Sequence, residues 1–325
     1  MADKSKDQYF LERLNDGIGF WVKSKERLAH AKSPFQDIEV LETDFGRTLR
    51  IDDYFMTSDK DEFFYHENMV HPAGIAHYAP KRALVIGGGD GGAAEEYLKY
   101  SSMEEVVMVE IDEVVVDFCK EHLPSVHRGA FDDARLKVVI ADGKKYVEDC
   151  QEQFDLMMLD LTDPFGPSEA LYRVDFLEHC RRILGPEGVL SMHLGSPIMR
   201  PNVFQRVYSS LKTVFGVVRP YLVYVPLYGT MWGMATASVQ TDPLALNSEN
   251  VEERLKTRKI NHLQYYNGDT HQGVFALPNY VRDLLTADLR PITELDPMDE
   301  PGLDPRNHIP LKVVQLDQEQ ERKIK

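Results

Sequence analysis

From Asp37 to Asp52 the stretch DIEVLETDFGRTLRID sets β-branched and apolar residues near period two on either side of Asp44-Phe45-Gly46. That spacing predicts two short strands joined by a tight turn, a β-hairpin belonging to a small N-terminal sheet. From Ala83 the pattern changes. Short runs that are apolar throughout, ALVIGG, VVMVEID, LKVVIAD, FDLMMLD and GVLSMHL, are separated by longer amphipathic segments such as AAEEYLKY and EALYRVDFLEHCRRIL. Strand and helix in alternation predict a parallel sheet covered on both faces, and runs that do not alternate fit strands buried on both sides. The helical run ending in RRIL stops at Leu184-Gly185-Pro186, and Arg181 and Arg182 fall in its last turn, where the helix dipole favours cations.

The predicted fold class is therefore α/β, a Rossmann-like parallel sheet preceded by a small β domain. The expected division is a β-strand domain over residues 1–75, the α/β domain over 76–289 and a loosely packed tail over 290–325, where Pro, Asp and Glu dominate and the chain ends in QLDQEQERKIK. No internal repeat is visible.

Composition narrows the class. With 325 residues, 43% of them hydrophobic, the chain is long enough for two packed domains. No apolar run approaches the roughly 20 residues that span a bilayer. The polar start, MADKSKDQYF, lacks the apolar stretch of a secretory signal, so a cytoplasmic location is expected. Cys119, Cys150 and Cys180 have no C-x-x-C spacing and suggest neither a disulfide framework nor a zinc site. The net charge of −16 and the absence of a basic stripe argue against a nucleic-acid partner and permit cationic ligands.

The chemistry lies where the strands end. The first apolar run passes directly into Gly87-Gly88-Gly89-Asp90-Gly91-Gly92 and then a helix, a turn whose missing side chains let a ligand press on the backbone. Glu110 ends the second run, twenty residues beyond Asp90, where an acid accepts both hydroxyl protons of a ribose. The third run ends in Asp142-Gly143 and the fourth in Asp160, with Asp163 shortly after in DLTDPFGP. Any one of these acids is by itself explained as a helix cap or turn former. Four converging on one sheet edge suit an adenosine that carries cationic groups and would repel a pyrophosphate.

These residues resemble the spermidine synthase family, because GGGDGG, VEID, ADG and the D-x-x-D-P-x-G-P segment occur in that family's order and spacing. Upstream, Ser33-Pro34-Phe35-Gln36-Asp37-Ile38 and Asp61-Glu62-Phe63-Phe64-Tyr65-His66-Glu67 are similar to its S-x-Y-Q-x-I and D-E-x-x-Y-H-E segments. Downstream, Val225-Pro226-Leu227-Tyr228 and Tyr265-Tyr266-Asn267 with His271 are similar to its V-P-x-Y and Y-Y-N…H segments. The resemblance covers roughly residues 20 to 285. It implies a β domain followed by a methyltransferase-like Rossmann domain, a homodimer or homotetramer, no metal, and decarboxylated S-adenosylmethionine as a co-substrate rather than a bound cofactor. By the same resemblance, Gln36, Glu110, Asp142, Gly143 and Pro167 hold the thioadenosine part. His66, Asp90, Asp160, Asp163 and Tyr228 line the amine end.

The implied reaction, transfer of an aminopropyl group from sulfur to putrescine, needs a neutral amine. An alkylamine with a pKa of about 10.4 is protonated at neutral pH, and removing that proton costs roughly 4 to 5 kcal/mol. Asp160 is assigned as the base, Tyr65 as its hydrogen-bonding partner and Asp163 as its neighbour, with crowding by Asp163 and Asp90 expected to raise its proton affinity. Asp90 is expected to reject intact S-adenosylmethionine, whose extra carboxylate would face it. The stretch from Asp163 to Ala170 reads equally as a lid or a rigid connection.

This chain departs from the family's Q-x-E-S-P with His193-Leu194-Gly195-Ser196-Pro197, so an acid for the far acceptor amine is missing. That leaves cadaverine, agmatine or spermidine open as acceptors beside putrescine. Met56 and Glu95 likewise stand where Gln and Arg are usual. Two rivals share the fold: an S-adenosylmethionine-dependent methyltransferase, and a non-catalytic polyamine-binding protein.

Overall fold

The computed structural model describes residues 8–15, 17–286 and 290–298. Five antiparallel strands, β1 (Gln8–Arg13), β2 (Gly19–Lys32), β3 (Asp37–Thr43), β4 (Gly46–Ile51) and β5 (Tyr54–Ser58), pair in chain order. The predicted hairpin is β3 and β4, with Thr43 opposite Gly46 at the turn. A two-residue turn, Asp52-Asp53, with both residues at positive φ (47° and 71°), brings the chain from Ile51 straight back onto Tyr54.

Helix α1 (Glu62–Ala76) crosses from this sheet to the second one and is buried along nearly its whole length. The second sheet then builds by alternation: β6 (Arg82–Gly87), α2 (Gly92–Leu98), β7 (Glu105–Glu110), α3 (Glu113–His122), the single turn α4 (Pro124–His127), β8 (Leu136–Ile140), α5 (Gly143–Asp149), β9 (Phe154–Asp160), α6 (Val174–Ile183), β10 (Leu184–Gly195), α7 (Pro201–Val214), β11 (Val217–Val225) and β12 (Thr230–Ser238). Helices α8 (Ser248–Thr257), α9 (Gly268–Val274) and α10 (Asn279–Thr286) follow. The seven strands lie in the order β11-β12-β10-β9-β6-β7-β8, parallel except for β12, which runs antiparallel to both its neighbours.

All five apolar runs are strands of this sheet. In β6, Leu84 and Ile86 enter one buried cluster with α6 and α7, while Ala83 and Val85 enter another with α1 and α2. That two-sided burial is why the run does not alternate. Strand β8 differs: it is the sheet edge, and Ile140 is 44% exposed. The pair β11 and β12 did not stand out in the sequence, because Pro220 and Gly233 interrupt their apolar pattern; Pro is tolerated in β11 because it is the other edge. Helix α6 ends at Ile183, as its stop signal predicts.

The two sheets are joined by packing. Ile38, Val40, Leu49 and Ile51 of β3 and β4 meet Val115, Cys119, Leu123 and Val126 of α3 and α4. The start of the expected loose tail is in fact docked: Ile292 is wholly buried, and Arg206 donates to the carbonyls of Arg290, Pro291, Asp296 and Pro297. Residues 299–325 of that tail lie outside the described residues. Among the described residues no helix is long and apolar enough to cross a membrane.

Candidate active site

The chain leaves β6 toward β7 on one side and later returns to place β9 on the other, so the sheet order reverses between β6 and β9. Ligands bind in such a crevice beyond the carboxyl ends of the strands. Gly87 of β6 sits opposite Asp160 of β9. It has φ +83°, and a Cβ there would lie 2.0 Å from the Asp160 carbonyl oxygen, so only glycine lets the two strand ends close up.

Helix α1 supplies the opposing wall. The Tyr65 hydroxyl donates to Asp160 Oδ1 at 2.9 Å. Beside it His66 is clamped between two carboxylates, with Nδ1 2.9 Å from Glu62 Oε2 and Nε2 3.4 Å from Asp90 Oδ2. Asp90 also accepts from the Gly92 backbone N–H at 2.9 Å, which fixes its rotamer at the entrance to α2. The His66 ring fills the space over Gly92, where a Cβ would come within 2.4 Å of it.

This crowding sets the charges. Burial pushes the Asp160 carboxyl up to about 6, the Asp90 carboxylate adds to the rise, and the His66 charge and the Tyr65 hydrogen bond oppose it. Burial alone would raise Asp90 too, yet the His66 ring and the Gly92 N–H hold it below the usual carboxylate range. Burial disfavours the His66 cation, but Asp90 and Glu62 together outweigh that and hold the ring charged far above its ordinary range. The Tyr65 hydroxyl is pushed up by burial and by Asp160, so it stays a donor.

Asp163 does not join this cluster as expected. Its carboxylate is bound by the Arg200 guanidinium, and the rise at Asp160 comes from burial and Asp90 instead. Arg200 stands 37 residues downstream, beyond β10, and nothing in the local sequence marks the pairing.

On the other side of the glycine turn Glu110 is buried, accepts from the Asp112 N–H at 3.0 Å, and has its other oxygen beside Gly89. Burial pushes its carboxyl up to about 7, against the pull of the Asp112 and Ile111 amides. Asp142 caps α5, accepting from Lys144 and Lys145 N–H at 2.8 and 3.2 Å, and Gly143 packs on Ile86. Gln36 lies in the β2–β3 turn, which is tied to this edge by Ser33, whose hydroxyl donates to Asp112 Oδ2 at 2.5 Å. Pro167 is the second residue of a 3-10 segment, Gly166–Tyr172, and its side chain lies outside the described residues. Tyr228 sits edge-on to the Tyr65 ring at 6.0 Å and donates to the Met56 carbonyl at 2.8 Å.

Several residues to which the sequence assigned no role prove to support the site. Asp61 accepts from Ser58 and from the Leu227 N–H at 2.7 Å, and so anchors the turn that carries Tyr228. Arg128 bridges Glu62 and Glu95 from a strained φ of 42°. Glu67, next to His66, faces away and accepts the N–H groups of Gln264, Tyr265 and Tyr266 at 2.7, 2.9 and 2.8 Å. Trp232 stacks with His193 at 5.6 Å and meets Tyr228 edge-on at 4.9 Å.

Donor atoms of His66, Asp90 and Asp160 lie within 4.8 Å of one another, a spacing open to a metal ion. The set fits one poorly, because both ring nitrogens of a charged His66 are protonated and already directed at carboxylates.

Residues 62–248 match the family model for the spermine/spermidine synthase domain, and residues 8–59 match that for the spermidine synthase tetramerisation domain. The chain is 48% identical over 310 residues to the polyamine aminopropyltransferase of Nitrosomonas europaea, covering 95% of each. It is 37% identical over 289 residues to polyamine aminopropyltransferase 2 of Hyperthermus butylicus, covering 88% of this chain and 95% of that one. Among solved structures it is similar to a spermidine synthase in complex with the transition-state analogue AdoDATO, with a TM-score of 0.82, 32% identity and coverage of 88% and 97%. The spermidine synthase of Thermotoga maritima gives a TM-score of 0.79 at 31% identity, covering 88% of this chain and 96% of that one.

Proposed function

Because the chain belongs to the spermine/spermidine synthase family, we propose that it carries the aminopropyl group of decarboxylated S-adenosylmethionine to putrescine, giving spermidine and 5′-methylthioadenosine. It is a polyamine aminopropyltransferase, an alkyl transferase. The observation that carries the mechanism is the Tyr65–Asp160 hydrogen bond beside Asp90 at the switch point of the sheet.

The acceptor enters as an ammonium and is drawn to Asp160. The carboxylate takes its proton, and the freed lone pair attacks the methylene carbon next to the sulfonium. The new C–N bond forms as the C–S bond breaks, and its electron pair returns to sulfur as a neutral thioether. An ordinary carboxylate is a weak base for an alkylammonium. The rise at Asp160 from 3.8 to about 6 narrows that gap by roughly 3 kcal/mol. A neutral leaving group needs no acid, and the reading calls for no metal and no cofactor beyond the sulfonium co-substrate.

The other roles follow the local chemistry. Glu110 takes the ribose hydroxyls, while Gln36, Asp142, Gly143 and Pro167 hold the thioadenosine. Asp90, held as a carboxylate by His66, pairs with the donor's amine, and Tyr228 walls the reacting centre with Tyr65. The same Asp90 charge disfavours intact S-adenosylmethionine and with it the methyltransferase reading. The intact Tyr65–Asp160 pair speaks against a binding protein without turnover. The homo-oligomer, a dimer or tetramer, is supported by the matched N-terminal family model and by Trp21 of β2, 63% exposed with Tyr9 edge-on at 4.9 Å.

The test is incubation with each donor, decarboxylated and intact, and a panel of putrescine, cadaverine, agmatine and spermidine, with products read by mass spectrometry. Methylthioadenosine and spermidine from the decarboxylated donor and putrescine are expected. A methylated amine, or no product from any pair, overturns the reading.

A further inference from the structure

A second recess, lined by Glu12, Tyr54, Asp163, Ser196, Arg200 and Trp232 among others, adjoins the site through Trp232, which meets Tyr228 edge-on as Tyr228 meets Tyr65. It holds about 20 Å³, space for one water. The Arg200 side chain forms part of its wall. Arg200 is 6% exposed, and its guanidinium binds the Asp163 carboxylate, donates through Nε to the Leu14 carbonyl at 2.9 Å and lies 5.3 Å over the Phe165 ring. It thus closes the recess from β1 to the loop after β9.

This wall lacks the free negative charge that a long polyamine needs. Asp163 is neutralised by Arg200. Glu12 is buried, accepts from the Phe55 N–H at 2.7 Å, and burial pushes its carboxyl up to about 8, so it is mostly uncharged at neutral pH. The buried indole N–H of Trp232 has no acceptor among the described residues, and a ligand ammonium, itself only a donor, cannot provide one. Gly195, where an acid would stand, has φ +77°, a conformation that a glutamate adopts only with strain.

We propose that Arg200 is a specificity-determining residue that closes the acceptor end of the site, by bulk and by like charge, against polyamines longer than a diamine. The inference rests on the aminopropyltransferase reading and names its substrate class: short diamines accepted, spermidine refused. Freed of Arg200, the Asp163 carboxylate would face the recess and receive an additional ammonium.

The experiment measures kcat/KM with decarboxylated S-adenosylmethionine for putrescine and spermidine, in the wild type, Arg200→Met and Arg200→Lys. Spermidine is expected to be at least about tenfold poorer than putrescine in the wild type, with the gap closing by about tenfold in Arg200→Met and persisting in Arg200→Lys. Equal use of both amines by the wild type, or an unchanged gap in folded Arg200→Met, overturns the proposal. Should Arg200→Met fail to fold, a series of α,ω-diamines on the wild type decides. Activity falling about tenfold by eight carbons supports the closed end, and a flat profile contradicts it. Absence of turnover with every amine overturns this proposal and the transferase reading together.

Discussion

The Tyr65 hydroxyl, on α1, points 2.9 Å from Asp160 Oδ1 at the end of β9, so the orientation of the proposed base is set by a helix that reaches it from outside the sheet. The bond stabilises the charged carboxylate and lowers its proton affinity. Tyr65→Phe should therefore move the acid limb of the kcat/KM profile to higher pH and lower kcat by about tenfold, the worth of one charge-assisted hydrogen bond. A kcat loss with no movement of the limb would show that Tyr65 acts without touching the charge of Asp160.

In the wild type the acid limb itself reports Asp160. Because the base must be ionised and its carboxyl sits at about 6, kcat/KM should fall as pH drops through about 6, a decade per pH unit below it. The sign for stability is the reverse. A carboxyl raised in the fold contributes stability below its unfolded pKa and loses it as pH rises through about 6. Asp160→Asn should thus raise the melting temperature by a few degrees at pH 8 and change it little at pH 4.

The chain Arg128–Glu62–His66–Asp90 predicts that His66 is a fixed cation rather than a metal ligand. Glu62→Gln should lower the His66 pKa, read from its ring proton shifts by NMR, and raise KM for the donor by about tenfold with a smaller effect on kcat. A chelator should leave activity unchanged. Loss of activity on chelation, restored by a divalent ion, would mean that His66 gives up its carboxylates to a metal.

Glu67 provides the structural contrast within the same motif. It accepts three backbone N–H groups of residues 264–266, so Glu67→Ala leaves them unpaired and should cost about 3 kcal/mol or more. The kcat of the molecules that remain folded should be unchanged. A loss of kcat with no loss of stability would place Glu67 in the chemistry.

What the sequence made legible was whatever ends an apolar run. Glu110 and Asp160 end their strands and Asp90 and Asp142 follow theirs within three residues, and four parallel strands must bring them to one edge. What stayed hidden were pairings across long separations. Arg200 reaches Asp163 from beyond β10, and Arg128 reaches Glu62 across 66 residues, with no periodicity to signal either. The expected Asp163–Asp160 crowding failed for that reason, since two nearby acids do not reveal a distant guanidinium. Strands β11 and β12 were obscured by Pro220 and Gly233, which an edge position and a close approach to Phe204 explain only in three dimensions.

The central claim is that Asp160 removes the acceptor's proton, and it is tested most directly by kcat of Asp160→Asn with decarboxylated S-adenosylmethionine and putrescine both saturating at pH 8. The account predicts a fall of about 10³-fold, within the range for loss of a general base, with donor affinity by calorimetry changed less than about tenfold. A variant that keeps kcat within about tenfold of the wild type would contradict it.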